Sequence, residues 1–377
     1  MLARTPKLAL SLGLVLIGGL VAASCKGGPD DPEIFDAGPV VIIDGAVVTP
    51  DAVPAATAEG LDLLFVIDNS NSMREEQASL VANFSRFVNV LQELDSGLPD
   101  IHIGVVTTNV GAGQFGISGC EGEGDNGILV NTPSGACNAP SDRYISDIAS
   151  SDGTRIRNYD GTLAETFSCI AEVGVTGCGF EQPLEAMVRA LDGSNPQNAG
   201  FLRPEALLAV VIISDEDDCS VSNVNMYNTD LAQDRIDSEL GFLSSFRCFE
   251  FGVSCNPDTP RVAGARSDCA PRQDSPYMDD VGVYADFLKG LKENPGNVVV
   301  AGIVGNASPV TVSLVDGEPR LDASCSAGLG GGAAPAIRLT AFLEQFPDRN
   351  TATTICNDDL SDGLAGIANL VSSVIGN

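Results

Sequence analysis

The sequence predicts an α/β fold with a doubly wound, mostly parallel sheet. Three short apolar runs, residues 61–67, 207–213 and 298–304, have the length of strands that are buried on both faces. Segments with apolar residues at helical spacing lie between these runs and after them. Strands that alternate with amphipathic helices are typical of Rossmann-like parallel sheets, because crossover helices cover both faces of such a sheet.

The predicted elements follow one another in a regular order. The strand at 61–67 precedes a helix over 73–94, whose apolar residues recur at helical spacing: Leu80, Phe84, Phe87, Val88, Leu91 and Leu94. The pattern continues with a strand at 101–107, a helix at 183–191, a strand at 207–213, a helix at 281–291, a strand at 298–304, and helices near 335–346 and 360–375. We therefore expect one domain over residues 59–377, with Cys-bearing loop insertions near 111–160 and 219–275.

The N-terminus has the layout of a secretory signal. Arg4 and Lys7 precede an apolar run over residues 8–23 that is too short for a comfortable membrane span. The run ends in Val-Ala-Ala-Ser-Cys, which resembles a bacterial lipoprotein lipobox. This resemblance implies that residues 1–24 are removed, that Cys25 is acylated (palmitate), and that the protein is membrane-anchored in the cell envelope. By resemblance to lipoprotein sorting in many Gram-negative bacteria, Lys26 after the cysteine favours the outer membrane. The alternative is an ordinary signal peptide that leaves Cys25 as a spare thiol.

Residues 25–58 are rich in Pro, Gly, Ala and Asp and show no helical period. Such a composition is typical of a flexible linker, so we expect a tether between the membrane and the domain. The alternative within this segment is a short strand over residues 40–43.

The cysteines indicate an oxidising compartment. The chain has 11 Cys and one His, and it lacks a Cys-x-x-Cys motif, which disfavours a zinc cluster. Assigning Cys25 to lipid leaves ten cysteines, enough for five disulfides. We expect three local pairs, Cys120–Cys137, Cys169–Cys178 and Cys325–Cys356. The remaining four, Cys219, Cys248, Cys255 and Cys269, should pair among themselves in one of three possible ways.

The charge of the chain excludes two classes of partner. The formal net charge is −31, and a surface this acidic repels nucleic acid and anionic lipid headgroups. Hydrophobic residues make up 44% of the chain, which is ample for a packed core. We therefore expect a folded domain that binds no nucleic acid and reaches the membrane only through its lipid.

The turn after the first strand carries a candidate metal site. Asp68-Asn69-Ser70-Asn71-Ser72 places one carboxylate and two hydroxyls at alternate positions between the strand and the following helix. Hard divalent cations prefer oxygen ligands of this kind. Because two of the ligands are neutral, a bound cation would keep positive charge and could accept a carboxylate from another molecule. The alternative is an Asp/Ser helix cap without metal.

A second acidic turn is expected beside the first. In a doubly wound sheet of strand order 3-2-1-4-5-6, ligands bind where the order reverses, between strands 1 and 4. Asp68 ends strand 1, and Asp215 follows the strand at 207–213. We interpret Glu216 and Asp217 as a solvated acidic loop, and Asp218 as part of a disulfide-pinned loop.

These two turns together resemble the metal-ion-dependent adhesion site of von Willebrand factor A domains, over roughly residues 60–305. The resemblance implies that Asp68, Ser70 and Ser72 hold Mg, Mn or Ca, with Asp215 joining through water. The family places a threonine before a helix near the ion, whereas this chain has Glu181 and Gln182 there. A carboxylate at this position would shift the site towards structural calcium. Alternatively, both residues only begin the helix.

Enzyme functions are disfavoured. His102 lies within an apolar strand pattern, no Gly-x-Ser-x-Gly motif occurs, and the glycine-rich stretch at 327–332 lacks the Lys-Ser/Thr of a phosphate-binding loop. We expect a lipid-anchored surface protein that binds a protein or glycan ligand, possibly through an acidic group, by means of the metal. The alternatives are an envelope-assembly scaffold with a purely structural metal and, less favoured, a metal-dependent hydrolase.

Overall fold

The structure is a computed structural model that describes residues 58–94, 96–132, 137–326 and 331–375, together with the backbone of residues 41–43 and 46–48. The chain divides into two compact units, residues 1–52 and 53–377. The predicted signal sequence, Cys25 and most of the predicted tether lie outside the described residues.

The first unit contains a short antiparallel pair, in which Val41–Ile43 pairs with Ala46–Val48. This pair agrees with the alternative of a strand inside the predicted tether. Among the described helices, none has the length and apolar character needed to cross a bilayer.

Strands occupy fifteen segments of the described chain. They are β1 Val41–Ile43, β2 Ala46–Val48, β3 Leu61–Ile67, β4 Ile101–Thr107, β5 Ile145–Ala149, β6 Arg155–Arg157, β7 Leu207–Ser214, β8 Val253–Asn256, β9 Gly264–Pro271, β10 Val298–Val304, β11 Val310–Val315, β12 Glu318–Leu321, β13 Cys325–Ser326, β14 Gly332–Ala333 and β15 Asn350–Thr354.

The α-helices of the described residues are α1 Arg74–Gln92, α2 Leu163–Ala171, α3 Pro183–Leu191, α4 Phe246–Gly252, α5 Val281–Gly290, α6 Ile337–Leu343 and α7 Ser361–Ile375. Short 3-10 turns occur at Asn71–Met73, Pro196–Asn198, Val224–Tyr227 and Pro295–Asn297. Every helix and strand predicted above is present, with boundaries that differ by a few residues.

The central sheet has the order β15-β10-β7-β3-β4-β5-β6. Strands β3, β4, β7, β10 and β15 run parallel, and β5 pairs antiparallel with β4. Counted along the chain without β6, this is the doubly wound order 3-2-1-4-5-6, so the predicted fold is confirmed. The order reverses between β3 and β7, whose last residues are in register at Ile67 and Ile213.

Alternating side chains of the central strands fill two separate layers of core. In β3, Leu63, Phe65 and Ile67 pack with α1, α2 and α7, whereas Leu64 and Val66 pack with α3, α5 and α6 on the other face. Successive strand residues point to opposite faces of a sheet. A strand that is covered by helices on both faces must therefore be apolar at nearly every position.

A second, antiparallel sheet has the order β12-β11-β9-β8. Strands β8 and β9 belong to the insertion predicted at 219–275, and β11 and β12 follow the central strand β10. This sheet packs on α4 and α6 through an apolar cluster of Phe246, Phe249, Val253, Val310, Val312 and Ile337. The insertion is therefore part of a folded layer that has its own small core.

Five disulfides join the ten cysteines of the domain, and two of the predicted pairs are wrong. The observed pairs are Cys120–Cys178, Cys137–Cys169, Cys219–Cys248, Cys255–Cys269 and Cys325–Cys356. The expected Cys120–Cys137 and Cys169–Cys178 pairs do not form, whereas Cys325–Cys356 and pairing among the four insertion cysteines are confirmed.

The two errors have a common physical cause. Cys169 lies on α2 in the core layer beneath α1, whereas Cys178 packs with Cys120 in a separate cluster formed by the loops. The tertiary fold therefore separates two cysteines that are close in sequence and brings Cys120 within a Cα–Cα distance of 4.5 Å of Cys178.

Candidate metal centre

Asp68 follows β3 directly and is completely buried at the carboxyl edge of the sheet. Its Oδ1 accepts the backbone N–H of Ser70 at 2.7 Å, and its Oδ2 accepts the hydroxyl of Ser214 at 2.7 Å. Gln77 of α1 donates to the backbone oxygen of Asp68 at 2.9 Å. Burial raises the pKa of the Asp68 carboxyl in spite of these hydrogen bonds. The carboxylate is therefore held in place before any ligand binds.

The two serine hydroxyls of the motif converge. Ser70 Oγ lies 3.0 Å from Ser72 Oγ, and Ser70 is buried while Ser72 is exposed. The side chain of Ser70 makes no capping hydrogen bond, and Met73 occupies the N-cap position of α1 without a side-chain cap. This arrangement disfavours the alternative in which the serines only cap a helix.

Asp215 follows the neighbouring strand β7 and is 6% exposed. The hydroxyl of Ser72 lies beside its carboxylate, so the two predicted halves of the site meet. Its Oδ1 is buried and lacks a hydrogen-bond partner among the described residues. Burial and the nearby charge of Asp68 raise the pKa of Asp215 to about 7, although the nearby Ser72 hydroxyl opposes the shift.

Glu181 joins the same cluster, and Gln182 does not. Glu181 is fully buried before α3, its Oε2 accepts the hydroxyl of Thr108, and its Oε1 lacks a partner among the described residues. Burial and the charge of Asp68, whose carboxyl it contacts, raise the pKa of Glu181 well above its ordinary value. The Gln182 amide instead donates to the backbone oxygen of Gly111 at 2.9 Å.

The prediction that Glu216 belongs to a solvated loop is wrong. Glu216 is half-buried, and its backbone N–H donates to Ser214 Oγ at 3.1 Å. Burial, followed by the charges of Asp68 and Asp215, raises the pKa of its carboxyl to about 8. Glu216 therefore lies near the carboxyl groups of Asp68 and Asp215.

The prediction that Asp217 belongs to a solvated loop is also wrong. Its two carboxylate oxygens accept three backbone N–H groups of the first turn of α6 at 2.9–3.0 Å, those of Ile337, Arg338 and Leu339. These are donors that a helix leaves unpaired at its N-terminus. Burial raises the pKa of Asp217 to about 6 in spite of these bonds.

Asp218 has a structural role beyond its neighbouring disulfide. Its Oδ2 lies 3.0 Å from Arg338 Nη2, and both side chains are completely buried. The acidic turn after β7 thus divides into one part that faces the candidate site and another that fixes α6.

The cluster formed by Asp68, Glu181, Asp215 and Glu216 has no basic counterpart. Within the described part of the chain, no ion pair involves any of the four carboxyl groups. Neighbouring carboxyl groups that are shielded from solvent tend to take up protons or to bind a cation.

The donor set fits a hard divalent cation. Among the described residues, no three His, Cys, Asp or Glu side chains are grouped so that they could hold a metal alone. An ion here would therefore depend on the hydroxyls of Ser70 and Ser72 together with Asp68 and Asp215. Oxygen ligands of this kind suit Mg, Mn or Ca, and the unpartnered Oδ1 of Asp215 has the capacity to accept one.

Without a cation, these carboxyl groups are expected to make stability fall as the pH rises from about 4 to about 8. Folding raises the pKa of Asp215 from 3.8 to about 7 and that of Glu216 from 4.5 to about 8. The unfolded chain then releases protons that the folded chain retains, so their stabilising contribution is full at low pH and is lost with increasing pH.

The test is the thermal midpoint in chelator across this pH range, for the wild type and for the Asp215→Asn/Glu216→Gln double variant. We expect the midpoint difference between them to shift in favour of the variant as the pH rises. A difference that does not change with pH would contradict the assignment.

Two hydrogen-bond partners of the cluster, Thr108 and Ser214, were not singled out from the sequence, and Glu216 was assigned to solvent. Thr108 follows β4, Ser214 ends β7, and Glu216 lies two residues later. Each lies at the carboxyl end of a strand next to the reversal point, where side chains of an α/β sheet meet a ligand. Their position after these strands could have indicated that they belong to the site. Hydroxyl and acidic side chains are also common in ordinary loops, so the position alone did not distinguish them.

No protein-family model matches the chain, and no curated protein sequence matches it. Among solved structures, it is similar to the hypothetical protein BatB from Bacteroides thetaiotaomicron, with 12% identity and a TM-score of 0.32 over 84% of this chain and 100% of that one. It is also similar to proximal thread matrix protein 1 of the mussel byssus (10% identity, TM-score 0.34, 85% of this chain, 49% of that one) and to human COPII-coat protein Sec24c (11%, 0.37, 84% and 33%). Identities and TM-scores this low do not bear on the function of the site.

Proposed function

We propose that this chain is a lipid-anchored protein of the bacterial cell envelope that is not an enzyme and binds a protein or glycan partner.

 The binding would occur through a divalent cation held by a von Willebrand factor A-like domain. The observation that carries this proposal is the convergence of Ser70, Ser72 and the unpartnered Oδ1 of Asp215 beside Asp68, at the point where the strand order reverses. The sheet order and the Asp-x-Ser-x-Ser turn support it.

The exposure of the candidate ligands supports binding in trans. Asp68 is completely buried and Ser72 is exposed, so an ion between them would have the protein on one side and solvent on the other. Ligands that are neutral hydroxyls leave the ion with positive charge. A carboxylate from a partner would complete its coordination from the open side.

A binding role fits the position of the single histidine better than catalysis does. His102 lies near the amino end of β4, and its Nδ1 is 2.8 Å from the backbone oxygen of Phe201. Burial lowers its pKa. A general base at the candidate site would have to be a carboxylate. The buried carboxylates there are the groups that would hold a cation.

The second candidate is a structural cation in an envelope scaffold, and Glu181 favours it. This carboxyl group is fully buried in contact with Asp68, and its Oε1 lacks a partner among the described residues. A third carboxylate near the ion would reduce its attraction for an acidic partner. Glu181→Gln discriminates between the two roles. Partner binding should survive or strengthen in the variant if the ion acts in trans, whereas a structural ion should lose most of its affinity.

The direct test of the binding site is Ser72→Ala. We expect this variant to bind magnesium or manganese about tenfold more weakly by calorimetric titration, because one neutral ligand is lost. Ser85→Ala is the matched control, since Ser85 is an exposed serine on α1 away from the site. Equal affinities for the two variants would exclude Ser72 as a ligand.

The anchor has its own test. Cys25→Ser is expected to move the protein from the membrane fraction to the soluble fraction, because the acyl group on Cys25 is the proposed attachment. Fractionation followed by immunoblotting measures this, and the Ser24→Ala variant, which leaves the acylated cysteine in place, should remain in the membrane fraction. A Cys25→Ser protein that stays fully membrane-bound would contradict the lipobox.

A further inference from the structure

A cavity of about 320 Å³ opens directly beside the candidate metal centre. Ser72 and Asp215 line one side of it, and α4 with β12 lines the other. The cavity thus lies between the edge of the central sheet and the layer formed by α4 and the second sheet. Its volume is at the small end of the range of about 300–1,000 Å³ for ligand pockets.

The far wall of the cavity is apolar. Phe246 and Phe249 of α4 and Leu321 of β12 line it, and the two phenylalanines belong to the small core of the second sheet. The Cys219–Cys248 disulfide ties α4 to the segment that follows Asp215. The apolar wall and the carboxylate edge are therefore held at a fixed distance from one another by a covalent link.

The cavity meets β12 along its backbone. Pro319, Arg320 and Leu321 are consecutive, and all three line the cavity. Successive side chains of a strand point to opposite faces, so three consecutive lining residues place the strand edge against the cavity. β12 is also the outermost strand of its sheet. An edge strand offers backbone groups with which an extended peptide can pair, and in β12 Pro319 contributes only its carbonyl oxygen because it has no N–H.

The side of the cavity next to the candidate metal centre is acidic, and one of its buried carboxylate oxygens has no hydrogen-bond partner among the described residues. Asp215 is 6% exposed and lines the cavity, and its Oδ1 lacks a partner among the described residues. Glu216 lines the same side. A ligand carboxylate would be repelled there unless a cation covered these groups, so acidic ligands and the cation should bind together.

From this arrangement we propose that the cavity binds an extended peptide segment in which an acidic residue is adjacent to a large apolar residue. The inference rests on the proposed metal site. The acidic side chain reaches the cation beside Ser72 and Asp215, the apolar side chain packs on Phe246 and Phe249, and the peptide backbone runs along β12. A glycan lacks both the carboxylate-apolar pair and the strand-like backbone, so a peptide fits these three features better.

The test uses a phage-displayed library of random linear hexapeptides, selected on the full mature chain in magnesium and released with EDTA. We expect the released sequences to be enriched in Asp or Glu next to Leu, Ile or Phe. A synthetic peptide of the most enriched sequence should bind Ala323→Phe at least about tenfold more weakly than wild type, because the new ring fills the cavity. Ala323 is exposed and lines the cavity.

Ala232→Phe is the matched control, since Ala232 is an exposed alanine of the insertion that does not line the cavity. It should bind the peptide as the wild type does. Ser245→Trp fills the cavity from the α4 side and should repeat the loss, which excludes a folding defect of one variant as the cause.

Two outcomes would overturn the inference: released sequences without the acidic-apolar pair, or equal peptide affinity for Ala323→Phe and Ala232→Phe. The metal site is measured separately, by the thermal midpoint of each protein with and without magnesium. If wild type gains stability from magnesium but yields no EDTA-released peptides, the peptide inference fails and the metal site stands. If magnesium has no effect on wild type, the proposed function itself fails.

Discussion

Asp68→Ala is expected to abolish the stabilisation that divalent cations give to the wild-type protein. Asp68 is the completely buried carboxylate at the reversal point of the sheet, and Ser70 and Ser214 hold both of its oxygens in place. A cation present at about 100 times its dissociation constant stabilises a folded protein by about 2.7 kcal/mol. The variant should lose this entire increment.

The measurement is the thermal midpoint in chelator and in saturating magnesium, manganese or calcium. Asp286→Ala is the matched control, because Asp286 is an exposed aspartate on α5. The control should keep the full cation-dependent increase. An Asp68→Ala protein that responds to cations as strongly as the control would remove Asp68 from the site.

Arg338→Leu is expected to destabilise the domain by about 3–5 kcal/mol, because it leaves a buried carboxylate without its counter-ion. Arg338 Nε donates to Asp218 Oδ2 at 3.1 Å, Arg338 Nη2 lies 3.0 Å from the same oxygen, and both side chains are completely buried. Arg338 Nη2 also donates to the backbone oxygen of Asp279 at 3.1 Å. The loss should appear in urea unfolding at neutral pH.

An exposed ion pair provides the control for this prediction. Arg235 and Asp237 are 2.8 Å apart, and their side chains are 63% and 66% exposed. Arg235→Leu should therefore change stability by less than about 1 kcal/mol. Adding Asp218→Asn to Arg338→Leu should recover part of the loss, since it removes the uncompensated charge. Equal effects of Arg338→Leu and Arg235→Leu would contradict the structural role of the buried pair.

The central sheet could be predicted because its strands have an unambiguous pattern. β3, β7 and β10 are apolar except at Asp62 and Ser214, and only strands that are covered on both faces require such a pattern. The second sheet could not be predicted in the same way. β9 is largely exposed and contains Gly, Ser, Asp and Pro, so its sequence is typical of a loop, and its strand structure depends on pairing with β8 and β11.

The candidate site was predictable only where residues follow strand ends. Asp68 and Asp215 lie at the reversal point. As expected, the structure places Ser72, from the turn that begins at Asp68, beside the carboxylate of Asp215. Glu216 and Asp217 were assigned to solvent because short acidic runs are usually solvated. Their burial results from tertiary contacts, since α6 lies over the turn after β7 and takes Asp217 as its cap. Similarly, Glu181 is placed against Asp68 by the loop before α3.

The central claim is that a divalent cation binds between Asp68, Ser70, Ser72 and Asp215. The most direct measurement is a crystal structure of the protein grown with manganese, with an anomalous difference map recorded for the metal. The account predicts an anomalous peak coordinated by the hydroxyl oxygens of Ser70 and Ser72, with Asp68 and Asp215 bonded directly or through water. A well-ordered site without a peak, or a peak bound only elsewhere on the domain, would contradict it.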